Sequence, residues 1–222
     1  PVGTFSGEGL FKGRPKNWRD WDLTFTARAP TVSLNGFHLD DPAIEYAQRD
    51  RHVSKCNLTG RVYNGNLNLI SSVDLAREEP VAQLTGSLEG MDLAVLRESN
   101  LPPEGSLTAK NEFLAGRLSA LVNLSGVPAN PARWKGDGSL SVTQGHLFRW
   151  NILDGLPEML LIPEFKDVVF TDGQANFTMA DGKITTVDAA MDSSSISLKG
   201  QGWIDLEGNI NFDIAPTFGE LV

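Results

Sequence analysis

From Ser195 to Ile214 the chain reads SISLKGQGWIDLEGNINFDI, with apolar residues on alternate positions. Ile196, Leu198, Ile204 and Leu206 share one parity, with Gly200 and Gly202 between them. Ser195, Ser197, Lys199, Gln201, Trp203 and Asp205 take the other. Past a short Glu207-Gly208 turn, Ile210, Phe212 and Ile214 alternate with Asn209, Asn211 and Asp213. Strand side chains point to opposite faces with period two, so the segment predicts a hairpin with one apolar and one wet face. The same alternation runs through most of the chain. Leu23, Phe25 and Ala27 alternate with Thr24, Thr26 and Arg28. Leu58, Val62, Leu67, Leu69, Val73, Leu75, Leu84 and Leu88 follow, then Leu118, Leu121 to Leu124, Leu140 to Val142 and Phe177 to Met179. Val187, Ala189 and Met191 keep one parity, while Ile184 is out of phase and predicts a bulge.

Turn signals punctuate these runs at Asn35-Gly36, Asn64-Gly65, Asp137-Gly138, Gln144-Gly145, Asp172-Gly173, Asp181-Gly182 and Gly208-Asn209. Asn-Gly and Asp-Gly supply the positive φ values that tight hairpins need. The spacing predicts about a dozen or more strands in an antiparallel meander. Two segments break the rhythm. Residues 91–100 put Leu93 and Leu96 on one helical face, with Asp92 as N-cap and Pro102-Pro103 as the stop. Residues 148–165, FRWNILDGLPEMLLIPEF, are apolar but interrupted by Gly155 and Pro157, which predicts two short helical pieces packed as a lid.

A sheet this wide needs something against its apolar face. Each strand offers about three apolar side chains, worth roughly 1.5–3 kcal/mol apiece when removed from water. A closed barrel, a two-sheet sandwich or a curved sheet holding something else would each satisfy the requirement. Gly200 and Gly202 on the apolar parity favour a sharply bent sheet. The pattern alone leaves sandwich or barrel and open groove evenly matched.

Composition narrows the function classes. With 222 residues the chain suits one large all-β domain or two small ones, with a loop at Pro128 to Pro131 as a sub-boundary. A net charge of −9 and a pI near 4.8 argue against nucleic acid and against this surface lying on an anionic membrane. The lone cysteine, Cys56, has no partner for an internal disulfide and reads as a small strand residue. No window approaches a membrane-spanning helix. The start at Pro1, without a leader, reads as an excised segment or processed product whose targeting region lies elsewhere.

Catalytic constellations are missing from the sequence. His38, His52 and His146 lack metal-ligand spacing, and there is no nucleophile elbow or P-loop. Gly7, Glu8 and Gly9 are followed by Gly13, one residue late for a dinucleotide fingerprint. Asp40-Asp41 before Pro42 reads as a turn or cap. No catalytic residue, metal ligand or cofactor is therefore assigned. Trp18 and Trp21, near Arg14, Lys16 and Arg19, read as a packed edge, with sugar stacking or a grip on a lipid headgroup as the alternatives.

From Leu58 onward the succession VYNGNLNL, LTGSLEGMDLAVL, WKGDGSLSVTQGHL, WNILDGLP, FKDVVFTDGQANFTMADGKI and SISLKGQGWIDLEGNINFD resembles the C-terminal region of AsmA-like proteins, relatives of TamB among the bridge-like lipid transfer proteins. The likeness covers roughly Leu58 to Ile214 and rests on the order of these motifs. It implies a mainly β fold: a long curved antiparallel sheet forming a taco-like groove, with one or two short helical segments. It also implies a periplasmic segment of a Gram-negative-type bacterium, tethered to the inner membrane by a part of the protein not present here.

The function expected on this basis is non-enzymatic phospholipid binding and transfer between inner and outer membranes. Acyl chains would lie on Val187, Ala189, Met191, Ile196, Leu198, Ile204, Leu206, Ile210, Phe212 and Ile214, with Gly200 and Gly202 bending the sheet. Two alternatives stand beside it. One is an assembly scaffold that binds envelope proteins through its edge strands. The other is a secreted carbohydrate-binding β-domain using Trp18, Trp21 and Trp134.

Overall fold

Alternation of apolar and polar positions is answered by strand almost throughout. The computed structural model of the chain describes residues 6–13, 17–34, 37–99, 114–147, 170–193 and 196–218. Strand makes up 77% of these residues, against roughly a quarter in an ordinary domain, so within them helices cannot form a second layer. The strands are β1 (Ser6–Lys12), β2 (Asp22–Arg28), β3 (Thr31–Leu34), β4 (Phe37–Arg49), β5 (His52–Val62), β6 (Gly65–Asp74) and β7 (Val81–Asp92). After them come β8 (Leu114–Gly126), β9 (Lys135–Leu147), β10 (Phe170–Ala180), β11 (Lys183–Ser193), β12 (Ile196–Asp205) and β13 (Ile210–Phe218).

All thirteen belong to one open, groove-like antiparallel sheet. The order follows the chain from β1 to β13, with β3 set aside as a short hairpin on β4. The choice between open groove and sandwich thus falls to the open sheet.

One helix, α1 (Leu93–Ser99), follows β7 as predicted. The Asp92 carboxylate caps it, with Oδ1 accepting from the N–H of Ala94 (2.9 Å) and of Val95 (3.3 Å). It presses Leu93 into a cluster with Tyr63 and Met91, ringed by Val62, Leu88, Leu118 and Val142. This is the most concentrated packing among the described residues. The lid expected over 148–165 lies outside them.

The turn signals divide, with Asn35-Gly36 outside the described residues. Asp181-Gly182 turns as predicted, with φ of 50° and 73°. At Asn64-Gly65 the turn sits one residue earlier, on Tyr63 (φ 45°) and Asn64 (φ 65°), and Gly65 opens β6. Asp137-Gly138 and Asp172-Gly173 are not turns but strand interior, in β9 and β10. Gly138 is needed for another reason: a Cβ there would lie 2.4 Å from the Phe177 ring of the neighbouring strand. Gln144 (φ 53°) sits where the β8–β9 register shifts. The pair Asp40-Asp41 likewise forms a bulge inside β4, where Asp41 (φ 49°) meets Arg61 at 2.5 Å. Asp50-Arg51, without any glycine, makes the β4–β5 turn with φ of 50° and 60°.

The two halves of the sheet repeat one plan. Asn17 and Asn130 each precede a 3₁₀ turn, at Trp18–Asp20 and Pro131–Arg133. Their backbones agree within a few degrees: φ/ψ −134/91 and −137/94 at the asparagines, −78/136 and −82/140 at Trp21 and Trp134. The shared sequence is G-x-P-x-N-x-x-x-W, at Gly13 to Trp21 and Gly126 to Trp134. In both, a Cβ on the glycine would strike the tryptophan, at 2.8 Å and 2.7 Å. Downstream, β5 and β11 have 11 residues each, and β6 and β12 have 10 each. Asp74 and Asp205 end β6 and β12, and each accepts from the N–H two residues on, that of Ala76 or Glu207. Leu75 N–H donates to Arg51 O at 2.8 Å, and Leu206 N–H donates to Gly182 O at 3.1 Å. The first unit is therefore β1 to β7 and the second β8 to β13, joined along the β7–β8 ladder.

Candidate functional site

Cross-strand partners in an antiparallel sheet share a face, so the register defines surface rows. One row crosses twelve strands: Gly9, Phe25, Tyr46, Cys56, Ser71, Leu84, Leu124, Gly136, Met179, Ile184, Ile204 and Ile210. The parallel row two residues along runs Gly7, Ala27, Ile44, Leu58, Leu69, Gly86, Val122, Gly138, Phe177, Thr186, Gly202 and Phe212. Neither row contains a residue with a formal charge. The opposite face carries Glu8, Thr26, Glu45, Asn57, Ile70, Thr85, Asn123, Asp137, Thr178, Thr185, Trp203 and Asn211. In these rows one face of the sheet is apolar, and the formal charges lie on the other.

Among the described residues, cover over the apolar face is local. At one end of the strands α1 buries Met91 and Leu93. At the other, the first 3₁₀ turn lies against Gln48, which is 3% exposed. Gln48 Nε2 donates to Trp18 O (2.8 Å) and Arg19 O (3.3 Å), and its Oε1 accepts from the Tyr46 hydroxyl (2.7 Å). Elsewhere the face stays half-exposed: Leu140 and Phe212 are 39% exposed, and Ile210 is 62% exposed. Among the described residues no large side chain is fully buried, which is the signature of a single layer with an unfilled side.

Aromatic rings and glycines pack this face. Phe25 and Tyr46 stack with centroids 5.2 Å apart. The Phe212 ring lies across Gly200 and Gly202, where added Cβ atoms would sit 3.4 Å and 2.7 Å from ring carbons. The two glycines are seats for that ring. Burial pushes the Cys56 thiol up from its ordinary pKa. Burial, and then the proximity of Cys56, do the same to the Tyr46 phenol. Both groups therefore keep the row neutral through the neutral range.

The structure brings most of the sequence-predicted lining together. Ala189 pairs with Gly200, Met191 with Leu198, Gly202 with Phe212, and Ile204 with Ile210. Ile214 lies opposite Gly200, and Ile196 pairs with Phe218 two positions before Leu198 in β12. Two residues fall outside this ladder. Val187 lies in the β11 bulge that the out-of-phase Ile184 predicted, between Thr186 and Ala189, and is 78% exposed. Leu206 belongs to the β12–β13 turn and is 52% exposed. The bulge is held by Asp188, which accepts from the N–H and Nδ2 of Asn176 at 2.9 Å and 2.6 Å. These bonds, with one from Thr186, hold its carboxyl below the usual range.

Sequence reasoning missed how far the face extends. Phe25, Tyr46, Leu124, Phe177 and Met179 continue it, and their alternation was already visible in the sequence. It also missed the repeated G-x-P-x-N-x-x-x-W turn, which assigns structural work to two tryptophans. Trp21 meets Phe11 edge-on at 4.9 Å, and Trp134 closes over Gly126. No family model, curated protein or solved structure matches the chain.

Proposed function

We propose that this sheet holds phospholipid acyl chains on its apolar face and passes them along as a non-enzymatic conduit in a bacterial envelope. The observation that carries the reading is the uncharged surface that crosses twelve strands and is left half-exposed among the described residues. A patch of this extent marks an interaction site. Rows of chemically similar side chains suit a flexible hydrocarbon better than a shape-specific ligand. Each methylene taken from water contributes about 0.8 kcal/mol, so a chain is held firmly yet meets similar neighbours as it slides. Headgroups remain in water at the strand ends. The resemblance to AsmA-like lipid transfer proteins points the same way, and with it a periplasmic setting.

The test places photo-crosslinkers at Leu198 and Phe212, with Gln201 on the opposite face as control, in cells. Phospholipid adducts at the first two and not at the third are expected. Equal labelling at all three, or none, would refute the reading. Native mass spectrometry of the purified chain should show co-purified phospholipid, lost on Leu198→Asp together with Phe212→Asp.

A further inference from the structure

Among the described residues the tandem plan has one half-seam at each edge of the sheet. In the seam that is formed, β7 closes the first unit and β8 opens the second, with Leu84 opposite Leu124 and Thr85 opposite Asn123. The counterpart of β8 is β1, and the counterpart of β7 is β13. Among the described residues, neither β1 nor β13 has a strand on its outer side. We propose that β13 of one molecule pairs with β1 of a second copy, head to tail, continuing the sheet.

Three observations carry this. The first is polarity. Successive strands on the path alternate in direction, so β13 runs antiparallel to β1 as β7 runs to β8. The second is facing. Transferring the β7–β8 register through the shared glycine of the repeated turn sets Phe212 opposite Phe11 of the second copy, and Asp213 opposite its Leu10. Apolar residues then meet on one face, as they do in the existing seam. Ile214 would face Gly9, a large residue against a small one.

The third is an imbalance in burial between equivalent positions. Leu75 is 3% exposed, whereas its counterpart Leu206 is 52% exposed. The loop after Leu75 is held from both sides: Arg19 donates to Arg77 O at 3.4 Å, and Arg133 of the second unit pairs with Glu79 at 2.6 Å. The turn containing Leu206 is tied to Gly182 of its own unit, and Gly182 in turn lies close to Ala132. The Arg133–Glu79 pair brings the second unit's 3₁₀ turn to the loop after Leu75, and the Asn17 to Trp21 turn of a second copy has the same backbone shape. Asp20 stands where Arg133 does, so the intermolecular seam lacks that ion pair and association is reversible. The contact is heterologous and adds copies in line. Pro216, without an N–H, shortens the available edge of β13.

Sedimentation velocity across a concentration series should show the average mass rising with concentration. Ile214→Pro should abolish that rise. Ile214 shares the parity of Pro216, so a proline there removes an outward donor and spares the β12 ladder, which circular dichroism would verify. In a Cys56→Ser background, mixing Leu10→Cys with Asp213→Cys under mild oxidation should give mixed disulfide dimers in excess of either homodimer. Both positions lie on the polar face, so the result does not depend on bound lipid. A constant monomer mass without mixed crosslinks, or a predominance of Asp213→Cys homodimers, would overturn the proposal.

Discussion

Gln48 is the polar residue on which the closed end of the apolar face depends, and replacing it gives a quantitative test. It lies opposite Val53 and Leu23 on the apolar side and is 3% exposed. Gln48→Leu keeps the volume but leaves Trp18 O, Arg19 O and the Tyr46 hydroxyl without their partner. A buried hydrogen bond contributes about 0.5–1.5 kcal/mol, and an orphaned buried group costs about 1–3 kcal/mol. The 2.7 Å and 2.8 Å bonds count fully and the 3.3 Å contact weakly. With some return from the leucine side chain, the net loss is about 2 kcal/mol. For a chain of this size that lowers Tm by about 4–8 °C.

Urea denaturation followed by tryptophan fluorescence is the assay, since Trp18 and Trp21 flank the contact. A cycle with Tyr46→Phe should return a coupling of about 0.5–1.5 kcal/mol between the two side chains. Gln48→Leu as stable as the parent, or additive with Tyr46→Phe, would refute the reasoning.

Gly202→Val should destabilise by about 1–3 kcal/mol in the same assay, because the new Cβ would lie 2.2 Å from Asn211 O and 2.7 Å from Phe212 Cα. Gly173→Ala, whose nearest neighbour is 3.7 Å away, should be neutral or slightly stabilising, and equal losses at both sites would refute the steric account. Hydrogen bonds hold the Asp205 carboxyl below its usual pKa, first from the Asn209 side chain and, after opposing desolvation, from the N–H groups of Asn209, Glu207 and Gly208. A depressed folded-state pKa stabilises above the unfolded value, about 3.9, and the contribution is lost as pH falls through the folded value. The stability gap between parent and Asp205→Asn should therefore be full at neutral pH and close on acidification below about pH 4, and a gap independent of pH would refute this. The Cys56 thiol, raised by burial, should react with a disulfide reagent more slowly in the folded chain than in urea, and equal rates would remove it from the covered row.

Much of the fold follows from local chemistry. Alternation at Leu23 to Ala27 and Ile210 to Ile214 specifies strands with one apolar face, since a period of two fits nothing else. Asp92 before Leu93 specifies a helix start because its carboxylate reaches the free N–H groups of the first turn. Ile184, out of phase with Ala189, announces the β11 bulge. Other signals depend on a neighbour that sequence does not name. Asp137-Gly138 has the composition of a hairpin turn, yet Gly138 lies in β9 because Phe177 comes from another strand to lie on it. Asp50-Arg51 has no glycine, yet turns because β4 and β5 must pair. Val187 and Leu206 keep the lining parity in sequence but fall in a bulge and a turn.

What the sequence determined by itself is therefore the two-faced strand, its approximate number of repeats, its helix cap and the neutrality of one parity. Only the tertiary structure decided that twelve strands follow one another along one open sheet with β3 set aside on β4, and that the first unit's last strand meets the second unit's first. Side-chain parity is a property of each strand alone, whereas a ladder bond requires two edges far apart in the chain. Whether an apolar face closes on itself or stays available is settled by that pairing.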